Sequence, residues 1–340
     1  MKLSYQRLAT VSLALGLTLV GVSLLSVTLG SVTIPTAEIL SAILQKLFHQ
    51  HSRLSSEEQA ILFDLRIPRI FLAVTVGMAL SVAGASFQAL LRNPLADPHV
   101  LGVSSGAALG AIISIILDLQ FTLGTSVASF LGALITIVVV YFLGTHGKAA
   151  STQTLLLAGI VTSSFLSAAI IFLQTYLSGR QLQQITFWLL GDFSSIDVAH
   201  LGWIFLAVMA CILLIALVSG DLNVLITGEL EAQHLGVNVK RLKRSVYLLA
   251  ALLTGLAVSI SGSIGYMGLL VPHIVRMAFG NDYRLLIPAS ALAGASFAVL
   301  ADVIARTALA PAELPVGAIT ALTGAPMFIY LLRRTRWEAV

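Results

Sequence analysis

Polar residues in this chain gather into short clusters that separate long apolar runs. Runs near the bilayer-crossing length of about 17–25 residues fall at 8–30, 68–91, 99–117, 121–144, 153–177, 199–218, 245–262, 266–279, 286–305 and 315–332. The pattern predicts about ten transmembrane helices and an all-α polytopic membrane protein, built as one domain over residues 1–340. The eighth run is short and holds Pro272, His273 and Arg276. That fits a half-helix shielded by protein, because broken helices are tolerated where lipid does not touch them. Two segments are too polar to span. Residues 35–63 carry Glu38, Lys46, His49, Arg53, Glu57 and Glu58, and part of this stretch suits an interfacial helix. Residues 219–244 form the longest polar stretch on the opposite side.

Charge sets the orientation. With the N-terminus in the cytoplasm, thirteen of the 19 Lys and Arg fall inside, Lys240, Arg241, Lys243 and Arg244 among them. Six fall outside: Lys46, Arg53, Arg66, Arg69, Arg180 and Arg306. This positive-inside bias predicts that both termini are cytoplasmic. The first run follows Lys2 and Arg7 but is longer than a signal-peptide core of roughly 7–15 residues, so it reads as a retained helix.

Composition agrees. The chain is 58% hydrophobic and 10% charged, where a soluble domain carries about 25% charged residues. Mean hydropathy is +0.98 and the pI is about 9.4. The basic residues sit in short loops, so they report topology and not a nucleic-acid partner. The single cysteine, Cys211, lies in an apolar run, which leaves no disulfide framework and no paired-cysteine site.

Residues 66–102 and 244–280 match without gaps at nine positions, including Gly77/Gly255, Gly84/Gly262, Pro94/Pro272 and Gly102/Gly280. The two segments lie five spans apart and so cross in opposite directions, as in the inverted-topology repeats of transporters. Gly102, Gly106 and Gly110 form one small-residue stripe, and Gly77, Ser81 and Ala85 another. Such stripes let helix backbones approach closely in lipid.

The recognisable reaction chemistries are missing. No GxxxxGK[ST] loop occurs, so ATP is not expected to bind this chain. The seven His are scattered, with only His49 and His51 close together, and no ligand set completes a metal site. Asp302 is the main carboxylate within a span, which disfavours a proton relay. It stands four residues before Arg306 and can pair with it along the helix.

Three blocks then resemble one family. They are Arg66-Ile-Pro-Arg69 with GMALSVAGASFQALLRNPLADPHVLGVSSGAALGA at 77–111, GSIGYMGLLVPHIVR at 262–276, and LADVIARTALAPAELPVGAITALTGAPMFIYLLRR at 300–334. They are similar to the permease subunits of type II ABC importers for iron-siderophore, haem and vitamin B12 uptake. The resemblance implies a bacterial inner-membrane permease that pairs with a second permease, in the simplest case as a homodimer. It also implies a cytoplasmic ATPase dimer that holds ATP and Mg, and a periplasmic or lipid-anchored substrate-binding protein. No catalytic residue and no resident cofactor or metal is implied for this chain. Residues 219–244 become a coupling loop to the ATPase, with Gly228, Glu229, Glu231, Ala232, Leu235 and Gly236 at its core. Arg66, Arg69 and Arg306 become docking residues for the binding protein. Asn93, Pro94, Leu95 and Thr152 become a cytoplasmic gate, although Gln153 departs from the family pattern beside Thr152. The fifth and tenth spans become the pathway lining, and their hydroxyls, such as Ser164, Thr320 and Thr323, suit a bulky chelate better than a bare ion. Two other readings stand beside this one. A type II permease for molybdate or another oxyanion would need more basic residues within the spans. An ion-coupled secondary transporter would need buried carboxylates in broken helices.

Overall fold

Each apolar run closes its backbone hydrogen bonds within itself, as hydrocarbon demands. A computed structural model describes residues 4–30, 32, 34–48, 54–119, 124–145, 152–177, 179–194 and 198–337, and among these no strand occurs. Of the residues singled out above, Lys2, His49, His51 and Arg53, and the side chain of Thr152, lie outside the described residues.

In chain order the helices are α1 (Tyr5–Thr28), α2 (Thr36–Leu47), α3 (Ser56–Ala60), α4 (Ile67–Leu90), α5 (Val103–Ile116), α6 (Gly124–Thr145), α7 (Thr152–Gln174) and α8 (Gly179–Leu190). They continue as α9 (Val198–Leu217), α10 (Ser219–Leu225), α11 (Glu229–His234), α12 (Val239–Ser261), α13 (Met267–Phe279), α14 (Tyr283–Thr307) and α15 (Val316–Trp337). Among the described residues seven are long and apolar enough to cross a membrane, and the shorter apolar helices Val103–Ile116, Met267–Phe279 and Val316–Tyr330 match the remaining three of the ten runs read from sequence. At 1.5 Å per residue α13 is about 20 Å long, too short for a hydrocarbon core of about 30 Å. It is the expected half-helix.

Two features differ from the sequence reading. The second crossing starts earlier, because α3, a π-helical segment Ile61–Arg66 and α4 run on as one helix over Ser56–Leu90. A capping box fixes its start: the Ser55 side chain accepts from the Glu58 amide while the Glu58 carboxylate accepts from the Ser55 amide. The polar segment is therefore divided between α2 and the head of a span. The second feature is α8, which was not expected. Its polar residues hid it from a search for spans, and its amphipathic spacing, with Ile185 buried, was the available signal.

The core is α4, buried almost throughout. Small residues permit this. A Cβ on Gly77 would overlap the Gly294 carbonyl of α14, and one on Gly84 would overlap the Gly268 carbonyl of α13. The stripe at Gly106 and Gly110 packs α5 on Gly132 and Ala128 of α6 in the same way. Cys211 is buried. α1 has the opposite character and keeps its apolar surface exposed.

The repeated segments differ in where their helices break. α4 runs unbroken through Gly84, whereas α12 stops at Gly262, with φ +68, and the chain restarts as α13. Gly102 and Gly280 do hold equivalent places, each flanking a helix at positive φ, +80 and +96.

Candidate functional site

Three regions contain the residues proposed for function. They lie at the outer end of α4, at its inner end, and along the exposed faces of α7 and α15.

The outer region is an arginine cluster around Asp302. Asp302 is fully buried and receives one guanidinium on each oxygen. Arg69 Nε donates to its Oδ1 at 2.8 Å, and Arg306 Nε donates to its Oδ2 at 3.1 Å. Arg69 Nη1 also donates to Glu313 Oε2 at 2.9 Å. The end of α1 takes most of the remaining donors. Arg306 Nη2 donates to Ser26 O and Ser26 Oγ, both at 2.7 Å, and its Nη1 to Leu29 O at 3.0 Å. Arg66 Nη1 donates to Val27 O at 2.7 Å, and its Nη2 to Val32 O. The last carbonyls of a helix have no partner within it, and cations at that end are favoured by the helix dipole. Arg66 and Arg306 supply both needs for α1.

The docking candidates Arg66, Arg69 and Arg306 are only 6%, 8% and 8% exposed. They turn inward because Asp302 and the α1 carbonyls are buried, and a buried acceptor left unpaired is costly. The Asp302–Arg306 pair expected along the helix is present. Glu313 was missed, since it lies in a loop and nothing in its local pattern tied it to Arg69, 244 residues away.

At the inner end, 219–244 folds as α10, a glycine break, α11 and a second turn at Gly236, whose φ of +86 suits glycine alone. Ala232 is buried and anchors α11, whereas Leu230 and Leu235 are 67% and 72% exposed. Glu231 and Gly236 are exposed, and a Cβ on Gly228 would overlap the Glu231 carboxylate. Glu229 faces the body of the protein. Lys243 Nζ of α12 donates to its Oε1 at 2.9 Å, and Arg92, just past α4, is 3.6 Å from the same atom. A second tie joins α10 to the head of α14. Asn223 Nδ2 donates to Asp282 Oδ1 at 2.7 Å while Asn223 Oδ1 accepts from the Tyr283 amide at 2.8 Å. Asp282 also caps α14 and pairs with Arg284 at 2.8 Å. The Arg284 hydrogen bond, helped by Asn223, holds this carboxyl below its ordinary range despite partial burial.

The gate candidates lie beside this loop. Asn93 Oδ1 accepts from the Leu95 amide at 2.9 Å, and Asn93 O accepts from the Ala96 amide at 3.1 Å. Asn93 and Pro94 therefore form a side-chain-closed turn that ends α4, with Leu95 exposed. Asp97 caps a 3-10 turn at Pro98–Leu101, and His99 Nε2 lies 2.9 Å from the Ile264 carbonyl in the break between α12 and α13. Thr152 opens α7.

The exposed surfaces of α7 and α15 are apolar, with Leu157, Phe165, Ile171, Leu322 and Ile329 outward. Three of the hydroxyls on these helices bond back onto their own backbone, Ser164 to Ile160 O, the buried Thr320 to Gly317 O and Thr323 to Ile319 O, while the buried Ser163 hydroxyl has no partner among the described residues. Among the described residues no group of three His, Cys, Asp or Glu could hold a metal ion.

Comparison with known proteins places this architecture. Residues 17–334 match the model of the FecCD transport family. The chain is 43% identical over 285 residues to an uncharacterised ABC transporter permease protein of Bacillus subtilis, covering 81% of this chain and 79% of that one. It is 40% identical over 275 residues to a cobalamin import system permease protein of Halobacterium salinarum, covering 81% and 74%. It is 42% identical over 289 residues to a hemin transport system permease protein of Yersinia pestis, covering 81% and 84%. A solved inward-facing conformation of a metal-chelate type ABC transporter superposes with a TM-score of 0.81 at 33% identity, covering 96% of this chain and 99% of that one.

Proposed function

The chain belongs to the FecCD transport family, and on that premise we propose that it is the permease through which an ATP-driven importer moves an iron-siderophore, haem or cobalamin across a bacterial inner membrane. Cobalamin and hemin permeases among its relatives support this substrate class. The observation that carries the choice is the pathway candidate itself. The exposed sides of α7 and α15 are mainly apolar, and the exposed hydroxyls of Ser164 and Thr323 are already committed to backbone carbonyls of their own helices. Such a wall offers few ligands to a bare ion or oxyanion and lets a bulky chelate slide.

On this reading the chain works by alternating access and is not itself an enzyme. A cytoplasmic ATPase dimer, with ATP and Mg, seats on the 219–244 loop, with Leu230 and Leu235 as its apolar contacts. Glu229 ties that seat to α12 and to the turn after α4, so a push on α11 reaches Asn93, Pro94 and Leu95 as a rigid-body displacement. Together with Thr152 these residues form the inner gate. A second permease, in the simplest case a copy of this chain, completes the pathway, and a substrate-binding protein docks on the outer face.

The test is uptake into proteoliposomes holding the permease with its ATPase and binding protein. Ferric siderophores, haem, cobalamin and molybdate would be offered in parallel. ATP-dependent uptake of one chelate is expected. Uptake of molybdate alone, or transport that persists without the ATPase, would overturn the reading.

A further inference from the structure

Of the three outer arginines, Arg69 differs from the others in one respect. Its Nη2 is buried and has no hydrogen-bond partner, while Nε is held by Asp302 and Nη1 by Glu313. At this end of the molecule no other arginine among the described residues leaves a buried nitrogen unpaired. Arg69 is itself more than nine-tenths buried. An arginine fork suits a carboxylate that takes two of its nitrogens at once, and here the second carboxylate position is half filled.

The two carboxylates on Arg69 are not equivalent. Asp302 is fully buried and shared with Arg306, so removing it would strand charge inside the protein. The Glu313 side chain is 44% exposed and rides on the loop 308–315, whose residues up to Glu313 face outward. A half-exposed ion pair contributes little and exchanges readily. The cluster sets three guanidinium groups against two carboxylates, so it retains attraction for a further negative group.

We propose that Glu313 is a built-in substitute for an acidic side chain of the substrate-binding protein, and that docking proceeds by carboxylate exchange on Arg69. The incoming carboxylate takes Nη2 and Nη1, Glu313 leaves, and Asp302 keeps Nε. Arg66 and Arg306 hold the end of α1. The exchange has a second effect. The loop that carries Glu313 runs straight into α15 at Val316, and α15 meets the rest of the protein where Gly317 packs against the carbonyls of Leu190 and Ser263. Releasing Glu313 removes one tie on the loop that leads into α15, while the Leu314 amide stays bonded to Ala305 O, and it does so only when the binding protein is seated. The inference rests on the reading that a binding protein docks on this face.

The experiment uses the full transporter, permease with ATPase, in nanodiscs. Labelled binding protein is titrated at low and physiological salt, with association rates recorded. Glu313→Gln is a surface change that should fold normally. It is expected to tighten docking by about threefold to tenfold and to speed association, because the internal competitor is gone. Arg69→Lys keeps a charge for Asp302 but loses the fork, and it is expected to weaken docking about tenfold. In the Arg69→Lys background, Glu313→Gln should then change docking little. If Glu313→Gln leaves affinity and rate unchanged while Arg69→Lys weakens docking, the exchange is wrong and the docking face stands. If neither Arg69→Lys nor salt changes docking, the docking face itself is wrong.

Discussion

Gly84 shows how little space separates the core helices. Its missing side chain lets α4 lie against the Gly268 carbonyl of α13, and Gly77 does the same against Gly294 of α14. Backbone at this position cannot yield as a side-chain tip can. Gly84→Val should therefore cost at least the 1–3 kcal/mol or so typical of overpacking, read as a lower melting temperature in detergent and a poor folded yield. Gly16→Ala on α1, where nothing lies within 4 Å of the added carbon, should leave both unchanged. A comparable drop in the Gly16 variant would mean that packing is not the cause. The sequence announced these glycines as stripes of small residues but not their partners, because spacing along a helix names a face and leaves the opposing helix open. The arginines show the same limit. Their position at the outer end was legible from charge alone. Their inward turn was not, since for Arg66 and Arg306 it depends on carbonyls at and just past the end of α1, 34 to 280 residues away, and for Arg69 on Asp302, 233 residues away.

At the scale of elements, apolar run length recovered the seven bilayer-length helices and the three shorter apolar ones among the described residues, because a bilayer-sized run has few other solutions. Shorter elements escaped it, since α8 and α10 owe their positions to tertiary partners. The join between α10 and α14 is one such case, and it gives a prediction. Asp282 caps α14 and accepts from Asn223, so it fastens the 219–244 loop to a helix that reaches the outer cluster. Asp282→Ala removes a cap, worth about 0.5–2 kcal/mol, and also cuts the tie to α10. The expected result is a modest loss of thermal stability together with more ATP hydrolysed per chelate imported. A pH effect accompanies it. The folded-state pKa of Asp282 lies below its ordinary value, so its stabilising share is full above that value and is lost as pH falls through the folded one. Acid titration of stability should lose that component in Asp282→Ala. An unchanged ratio of hydrolysis to uptake would show that α10 passes its motion on without α14.

For the whole molecule, the outer arginine cluster and the inner 219–244 loop are joined by two closely packed helices. α4 begins at the arginine cluster and ends at Arg92 beside Glu229, while α14 begins at the Asn223–Asp282 tie and ends at Asp302 and Arg306. The two helices run antiparallel and meet at Gly77 and Gly294 without intervening side chains. Events at one face are thus mechanically close to the other, but only if the faces lie on opposite sides of the membrane in the sense that the charge bias predicts. That orientation can be measured directly, because the one native cysteine, Cys211, is buried and should stay silent to a bulky reagent. Ala312→Cys, in the exposed loop next to Glu313, should react with a membrane-impermeant maleimide on intact spheroplasts. Leu235→Cys, exposed on the 219–244 loop, should react only in inverted vesicles. The reverse pattern would put the arginine cluster in the cytoplasm and undo both the coupling and the docking assignments. Labelling of both from one side would mean that α4 and α14 do not connect opposite faces, whatever their packing.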